Sequence, residues 1–92
     1  MKKYRVFLSE TARRQLREFP GRTQSRIEKA LTELEDDPFR SRPMADIKRL
    51  KGPDRAYFRL RIGDHRVIYV VEGHRVLVAK ILLRSKAYEW LD

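Results

Sequence analysis

The chain has 92 residues, enough for one small domain with one modest core. Its 22 Lys and Arg against 13 Asp and Glu leave a net charge of +9 and a pI near 10.4, which asks for an anionic partner: nucleic acid, a membrane surface or an acidic protein. The lack of cysteine excludes a disulfide framework and a thiolate metal site, and no apolar run approaches the length of a membrane span.

Met1-Lys2-Lys3 opens like a signal peptide, but Val6-Phe7-Leu8 is interrupted at once by Ser9-Glu10 and no apolar stretch follows. A cytoplasmic protein is the default expectation. Residues 4–8 read as a short strand, rich in strand formers. Ser9 suits the N-cap of a first helix, in which Ala12, Leu16 and Phe19 make one apolar stripe and Arg13, Arg14 and Arg17 lie off it. Pro20-Gly21 ends that helix. A second spans about 23–35, with Ile27, Leu31 and Leu34 as its stripe and Ala30 beside them. The short connection predicts an antiparallel helical hairpin, stopped by Asp36-Asp37-Pro38.

Residues 39–45 read as a loop that ends at Asp46-Ile47-Lys48-Arg49-Leu50-Lys51-Gly52. Three strands follow, over about 57–62, 66–71 and 75–83, joined at Gly63-Asp64 and Glu72-Gly73-His74. The middle one is apolar on both sides, which predicts cover on both faces. Residues 86–92 are a short tail with a helical turn. The predicted fold is α+β: a β-α-α-β-β-β order over residues 1–92 as a single domain, with the helical hairpin packed on a mainly antiparallel four-stranded sheet.

Alternation along 57–62 puts Phe58, Leu60 and Ile62 against the helices and Tyr57, Arg59 and Arg61 on the other face. Gly63-Asp64 suits a two-residue turn with Gly first, which sets Ile62 opposite His65 and Arg61 opposite Arg66. A three-residue loop would turn Arg66 into the core, where an unpartnered charge is costly. Three guanidinium groups then share one patch, an arrangement that stability alone disfavours and a phosphate relieves. The plain alternative is a solvated strand face with arginines lying over apolar neighbours. Arg84 and Tyr88, four apart, align if a helix begins there. Arg84 then suits stabilisation of a phosphorane, and Tyr88 suits proton exchange or base stacking. Equally, Tyr88 and Trp90 suit tucking a C-terminal turn against the sheet. His65 and His74 both fall at turns, and no second ligand stands at a metal-like spacing, so neither metal nor cofactor is expected.

The stretch Phe-Arg-Leu-Arg-Ile-Gly-Asp-His-Arg-Val-Ile-Tyr at 58–69, the opening Tyr-Arg-Val, the Ser-Glu-x-Ala at the first helix, Leu-Lys-Gly at 50–52 and the tail Leu-Arg-Ser-Lys-Ala-Tyr together resemble the RelE/ParE superfamily of toxins from toxin–antitoxin pairs. The resemblance covers nearly the whole chain. Its RelE-like branch implies a metal-independent endoribonuclease that cuts mRNA in the A site of the small ribosomal subunit and is silenced by a RelB-like antitoxin in a hetero-oligomer. In that branch the chemistry falls on basic strand residues and a C-terminal Tyr, which here are Arg59, Arg61, Arg66, Arg84 and Tyr88; Arg61, Arg66, Arg84 and Tyr88 are then the catalytic set and Arg59 an RNA contact, with His65 a further RNA-binding candidate and Lys48, Lys51, Arg13, Arg14 and Arg17 expected to contact ribosomal RNA. The ParE-like branch implies instead a poison of DNA gyrase, and a non-catalytic RNA-binding regulator is a third reading. The chain departs from the pattern at His65, where the family has Tyr, and at Leu83, where it has His. Arg59 and Arg61 keep their protons and cannot be a general base. That leaves Tyr88, or His65 if the turn aims it at the groove.

Overall fold

The computed structural model describes residues 2–52 and 54–91, without the side chains of 88–91. The elements are β1 (Arg5–Leu8), α1 (Glu10–Glu18), α2 (Gly21–Asp36), β2 (Asp46–Leu50), β3 (Tyr57–Ile62), β4 (His65–Glu72), β5 (Arg75–Leu83) and α3 (Arg84–Leu91). The strands form one sheet in the order β1-β5-β4-β3-β2. β1 runs parallel to β5, and the other neighbours are antiparallel.

This is the predicted α+β class with its helical hairpin, but the sheet has five strands rather than four. The addition is β2, read from sequence as the end of a loop. It is an edge strand in which Ile47 alone is fully buried, so it lacks the apolar alternation that announces a half-buried strand. Its register runs from Asp46 opposite Arg61 to Leu50 opposite Tyr57. The tail also differs: the last helix begins at Arg84 and directly continues β5.

Ser9 joins sheet and helix. Its hydroxyl accepts from the Ala12 N–H at 3.0 Å, capping α1, and donates to the Ala79 carbonyl at 2.7 Å. β1 stops at Leu8, which leaves the edge of β5 beyond Val78 without a strand. α1 takes over there, because Gln15 Oε1 accepts from the Ile81 N–H at 2.8 Å. A bulge in β5 falls at the same place, where the pairing shifts between Ile68 and Tyr69. At the hairpin corner Gln24 donates to the Phe19 carbonyl at 2.8 Å. Pro20-Gly21 serves both helices: it follows the end of α1, and Pro20 is the N-cap of α2.

The core lies between the hairpin and one sheet face. Ala12, Leu16, Ile27, Leu31 and Leu34 meet Phe58, Leu60, Ile62, Val67, Tyr69, Val76, Val78 and Ile81. Ile68, Val70 and Ala87 are buried apart from this cluster. α3 packs on β4 and β5, so the central strand is covered on both faces as its apolar run predicts. Arg42 closes the far end of α2. Its Nη2 donates to the Glu33 carbonyl at 2.7 Å and its Nη1 to those of Asp37 and Arg40 at 2.9 and 2.7 Å. A cation thus meets carbonyls at and just beyond the C-terminal end of the helix, where the helix dipole favours it. The Asp37 carboxyl accepts from the Phe39 and Arg40 N–H groups, and the Phe39 bond chiefly holds its pKa below the ordinary value. Its support of this turn is present above the ordinary carboxylate range and lost as pH falls through the lowered value.

Tyr69 ties this loop to the sheet. Its buried hydroxyl donates to the Pro38 carbonyl at 2.7 Å, and its ring stacks on Phe58 at 5.6 Å. Burial pushes the phenol pKa well above its ordinary value, so it stays a donor at any physiological pH. Tyr69→Phe is expected to lower stability by about 1–3 kcal/mol, because it strands a buried acceptor. Urea unfolding of the two proteins measures this, and equal midpoints would contradict it.

Candidate functional site

The sequence gathers its candidate residues around the turn between β3 and β4, and that turn has the predicted length. Ile62 pairs with His65 and Arg61 with Arg66, leaving Gly63-Asp64 as the two-residue loop. Gly63 sits at φ 58°, where a Cβ is disfavoured and would also press on the Arg26 guanidinium. On the other side β4 pairs His65 with Leu83 and Arg66 with Leu82. The Arg84 N–H then donates to the Asp64 carbonyl at 2.9 Å. The start of α3 is thereby fixed to the turn, and Arg84 stands at the same corner as Arg61. Both side chains are exposed.

Arg66 departs from the expectation of an open patch. It lies on the same face as Arg61 but is only 5% exposed, and its Nη1 donates to the Gly63 and His65 carbonyls at 2.8 and 3.0 Å. Its guanidinium braces the turn from beneath. The cost of burying a charge is met by carbonyl acceptors, a solution the sequence does not announce. His65 departs too. Opposite Ile62 and Leu83 it belongs to the face that α1 and α2 cover, and its ring meets Phe19 edge-on at 4.7 Å. The turn does not aim it at the arginine corner. Tyr88 lies in α3, four residues after Arg84, and its side chain is outside the described residues, as is that of Trp90.

Registers fix the rest of the open face. Next to the corner comes a row of Lys80, Ile68, Arg59 and Lys48, one residue from each of β5, β4, β3 and β2. Lys48 is exposed. Arg59 donates from Nη2 to Asp46 Oδ1 at 3.0 Å, while its buried Nε finds no acceptor among the described residues. Asp46 was not singled out from sequence, and it stands directly opposite Arg61. Lys51 follows the far end of β2, five residues and about 16 Å of strand from Asp46. It is exposed but is not brought to the corner.

A further row crosses the whole sheet: Phe7, Leu77, Val70, Tyr57 and Leu50, with Tyr57 beside Val70 because Phe58 pairs with Tyr69. Phe7 is 41% exposed, and Phe7, Leu77, Val70 and Tyr57 line a groove of about 340 Å³. Beyond this row Arg5 faces Arg75 across β1 and β5. The open face therefore carries an apolar band between two basic margins, with Arg61 and Arg84 at one corner.

The chain is similar to known toxins over almost its full length. The model of a family described as the ParE toxin of the type II toxin–antitoxin system, parDE, matches residues 6–88. A putative toxin RelE1 of Methanocaldococcus jannaschii is 33% identical over 95% of this chain and 97% of its own. Toxin RelE3 of the same organism is 27% identical over 94% of this chain and 97% of its own. Among solved structures, the archaeal RelE–RelB complex from Pyrococcus horikoshii contains a chain that superposes with a TM-score of 0.78, at 29% identity, covering 91% of this chain and 98% of that one. With the hairpin-on-sheet fold and the matched span taken together, the chain belongs to the ParE/RelE toxins of type II toxin–antitoxin systems.

Proposed function

We infer that this toxin is an endoribonuclease that cuts mRNA on the ribosome, with the RNA 2′-OH attacking its own adjacent phosphate. The observation that carries the reading is the exposed pair Arg61 and Arg84 at one corner of a strongly basic face. In such a reaction the 2′-O–P bond forms and the P–O5′ bond breaks. The 2′-OH proton passes to a base, and the departing 5′-oxygen takes up a proton. Positioning supplies much of the rate, and neither water nor a metal takes part. Arg61 binds the phosphate through its fork of donors, and Arg84 stabilises the charge that builds on it. Arg66 serves as a brace for the turn rather than a direct phosphate ligand, in keeping with its burial. Tyr88, four residues after Arg84 in α3, is the base. His65, turned to the helix side, takes no part in proton transfer. Lys48, Arg59 and Lys51 contact the RNA backbone.

Primer extension on an mRNA in a purified translation system tests this. New breaks are expected within ribosome-occupied codons and not without ribosomes. Arg84→Ala is expected to slow cleavage about 10²–10³-fold. An Arg84→Ala protein that cuts as fast as the parent removes that assignment. If translation proceeds undisturbed with no breaks, the endonuclease reading falls, and a gyrase supercoiling assay tests the ParE-like alternative that the matched family name favours.

The partner in this reading is a RelB-like antitoxin. The apolar band is about 19 Å across five strands and is bordered by Arg5 and Arg75 on one side and Lys48 and Arg59 on the other. It fits an amphipathic helix of about 13 residues with acidic flanks. Phe7→Asp places a charge at the exposed end of the band. It is expected to weaken antitoxin binding at least tenfold in calorimetric titration while mRNA cleavage persists. Unchanged affinity would exclude this docking face.

A further inference from the structure

The second row of the open face contains an internal anion where an RNA phosphate is wanted. Asp46 and Arg59 come together because β2 pairs with β3 in the register that sets Asp46 opposite Arg61 and Lys48 opposite Arg59. Asp46 thus lies one same-face step from Arg59 and reaches it diagonally, at 3.0 Å from Nη2. The two sides of the pair are unequal. The Arg59 side chain is 20% exposed and the Asp46 side chain 51%, so the carboxylate is the more hydrated member.

The contact leaves the guanidinium half used. Nε and Nη2 form the edge of the fork that takes two oxygens of one oxyanion in parallel bonds. Asp46 occupies Nη2, and Nε on the same edge is buried with no acceptor among the described residues. An unmet donor at a buried site is a cost that a better-shaped ligand removes. Phosphate presents two oxygens to such an edge, whereas Asp46 offers one oxygen from a neighbouring strand.

We propose that Asp46 is a positioning residue that stands in for phosphate: it holds Arg59 in the free toxin, and an RNA backbone phosphate displaces it from Nη2, the departure of the carboxylate opening the edge on which Nε also lies. The displaced carboxylate, already 51% exposed, turns to water, and Arg61 stays open for the scissile phosphate. Asp46 therefore sets how strongly the basic face competes for RNA. This rests on the reading of the protein as an RNA-binding toxin.

Loss of any acidic side chain strengthens RNA binding through general charge, so the test is a cycle of substitutions. Binding of a short single-stranded RNA is measured by fluorescence anisotropy across a salt series for the parent, Asp46→Asn, Arg59→Ala and the double variant. Asp46→Asn is expected to tighten binding about 3–10-fold with an unchanged logarithmic salt slope, because Arg59 meets one phosphate in both proteins. In the Arg59→Ala background the same substitution is expected to tighten binding only by the smaller general-charge effect. Equal tightening in both backgrounds overturns the proposal, and so does an unchanged or weakened Asp46→Asn. NMR of the Arg59 Nε–H signal during titration with inorganic pyrophosphate separates this from the functional reading. A shift that grows in Asp46→Asn, in a protein that cuts no mRNA, keeps the internal stand-in and removes the endonuclease. Cleavage of mRNA with the Arg59 signal unmoved does the reverse.

Discussion

The turn at Gly63-Asp64 is the constraint on which the site depends. A two-residue loop with positive φ at its first position matches the twist of the flanking strands and fixes their register. One residue more would send every side chain of β4 to the other face. Arg61 and Arg66 share a face for this reason, while His65 is packed against Phe19. The turn is in turn held from two sides. Arg66 bonds the carbonyls of Gly63 and His65, and the Arg84 N–H bonds the carbonyl of Asp64. The last helix thus begins where the hairpin needs it, and Arg84 is placed by backbone geometry before its side chain meets any ligand.

This arrangement divides the arginines by task. A guanidinium that braces a turn has to be dry and turned to the backbone, and Arg66 is buried with its Nη1 bonded to two carbonyls of that turn. A guanidinium that receives a phosphate has to keep an edge open to solvent, as the exposed Arg61 and Arg84 do. Arg59 stands between, largely covered and joined to an exposed carboxylate. Four residues that look alike in sequence are set apart by burial alone, because burial decides whether the donors turn inward to carbonyls or outward to a ligand.

The elements legible in the sequence are those whose burial is periodic. The stripes of α1 and α2, the alternation in β3, the doubly covered β4 and the turn length all follow from apolar spacing and one glycine. β2 was not legible, because an edge strand with Ile47 as its fully buried residue has no alternation to read and its polar residues resemble those of a loop. The C-cap role of Arg42 was hidden for a different reason. It is made with carbonyls of residues 33, 37 and 40, and a local pattern of side chains says nothing about backbone acceptors. The same blindness covers Arg66. The missing strand also concealed Asp46, whose meaning depends on a partner 13 residues away across a register.

Clustering cations on one sheet face works against the fold unless something anionic lies among them, and the chain has two ways to supply it. One is internal: Asp46 sits within the basic rows, where a single carboxylate reduces repulsion between Arg59, Lys48 and Arg61 at little structural cost because it is exposed. The other is external, an acidic partner or an RNA backbone. The apolar band stands about 13 Å along the strands from Arg61, four residues away. A partner held by that band therefore does not cover the corner merely by binding. Reaching the corner would take an acidic segment that extends past Lys48 and Arg59, over the surface where Asp46 lies. Internal and external anions thus act on the same row of donors, and the weaker, one-oxygen contact is the one that a phosphate or a partner carboxylate displaces first.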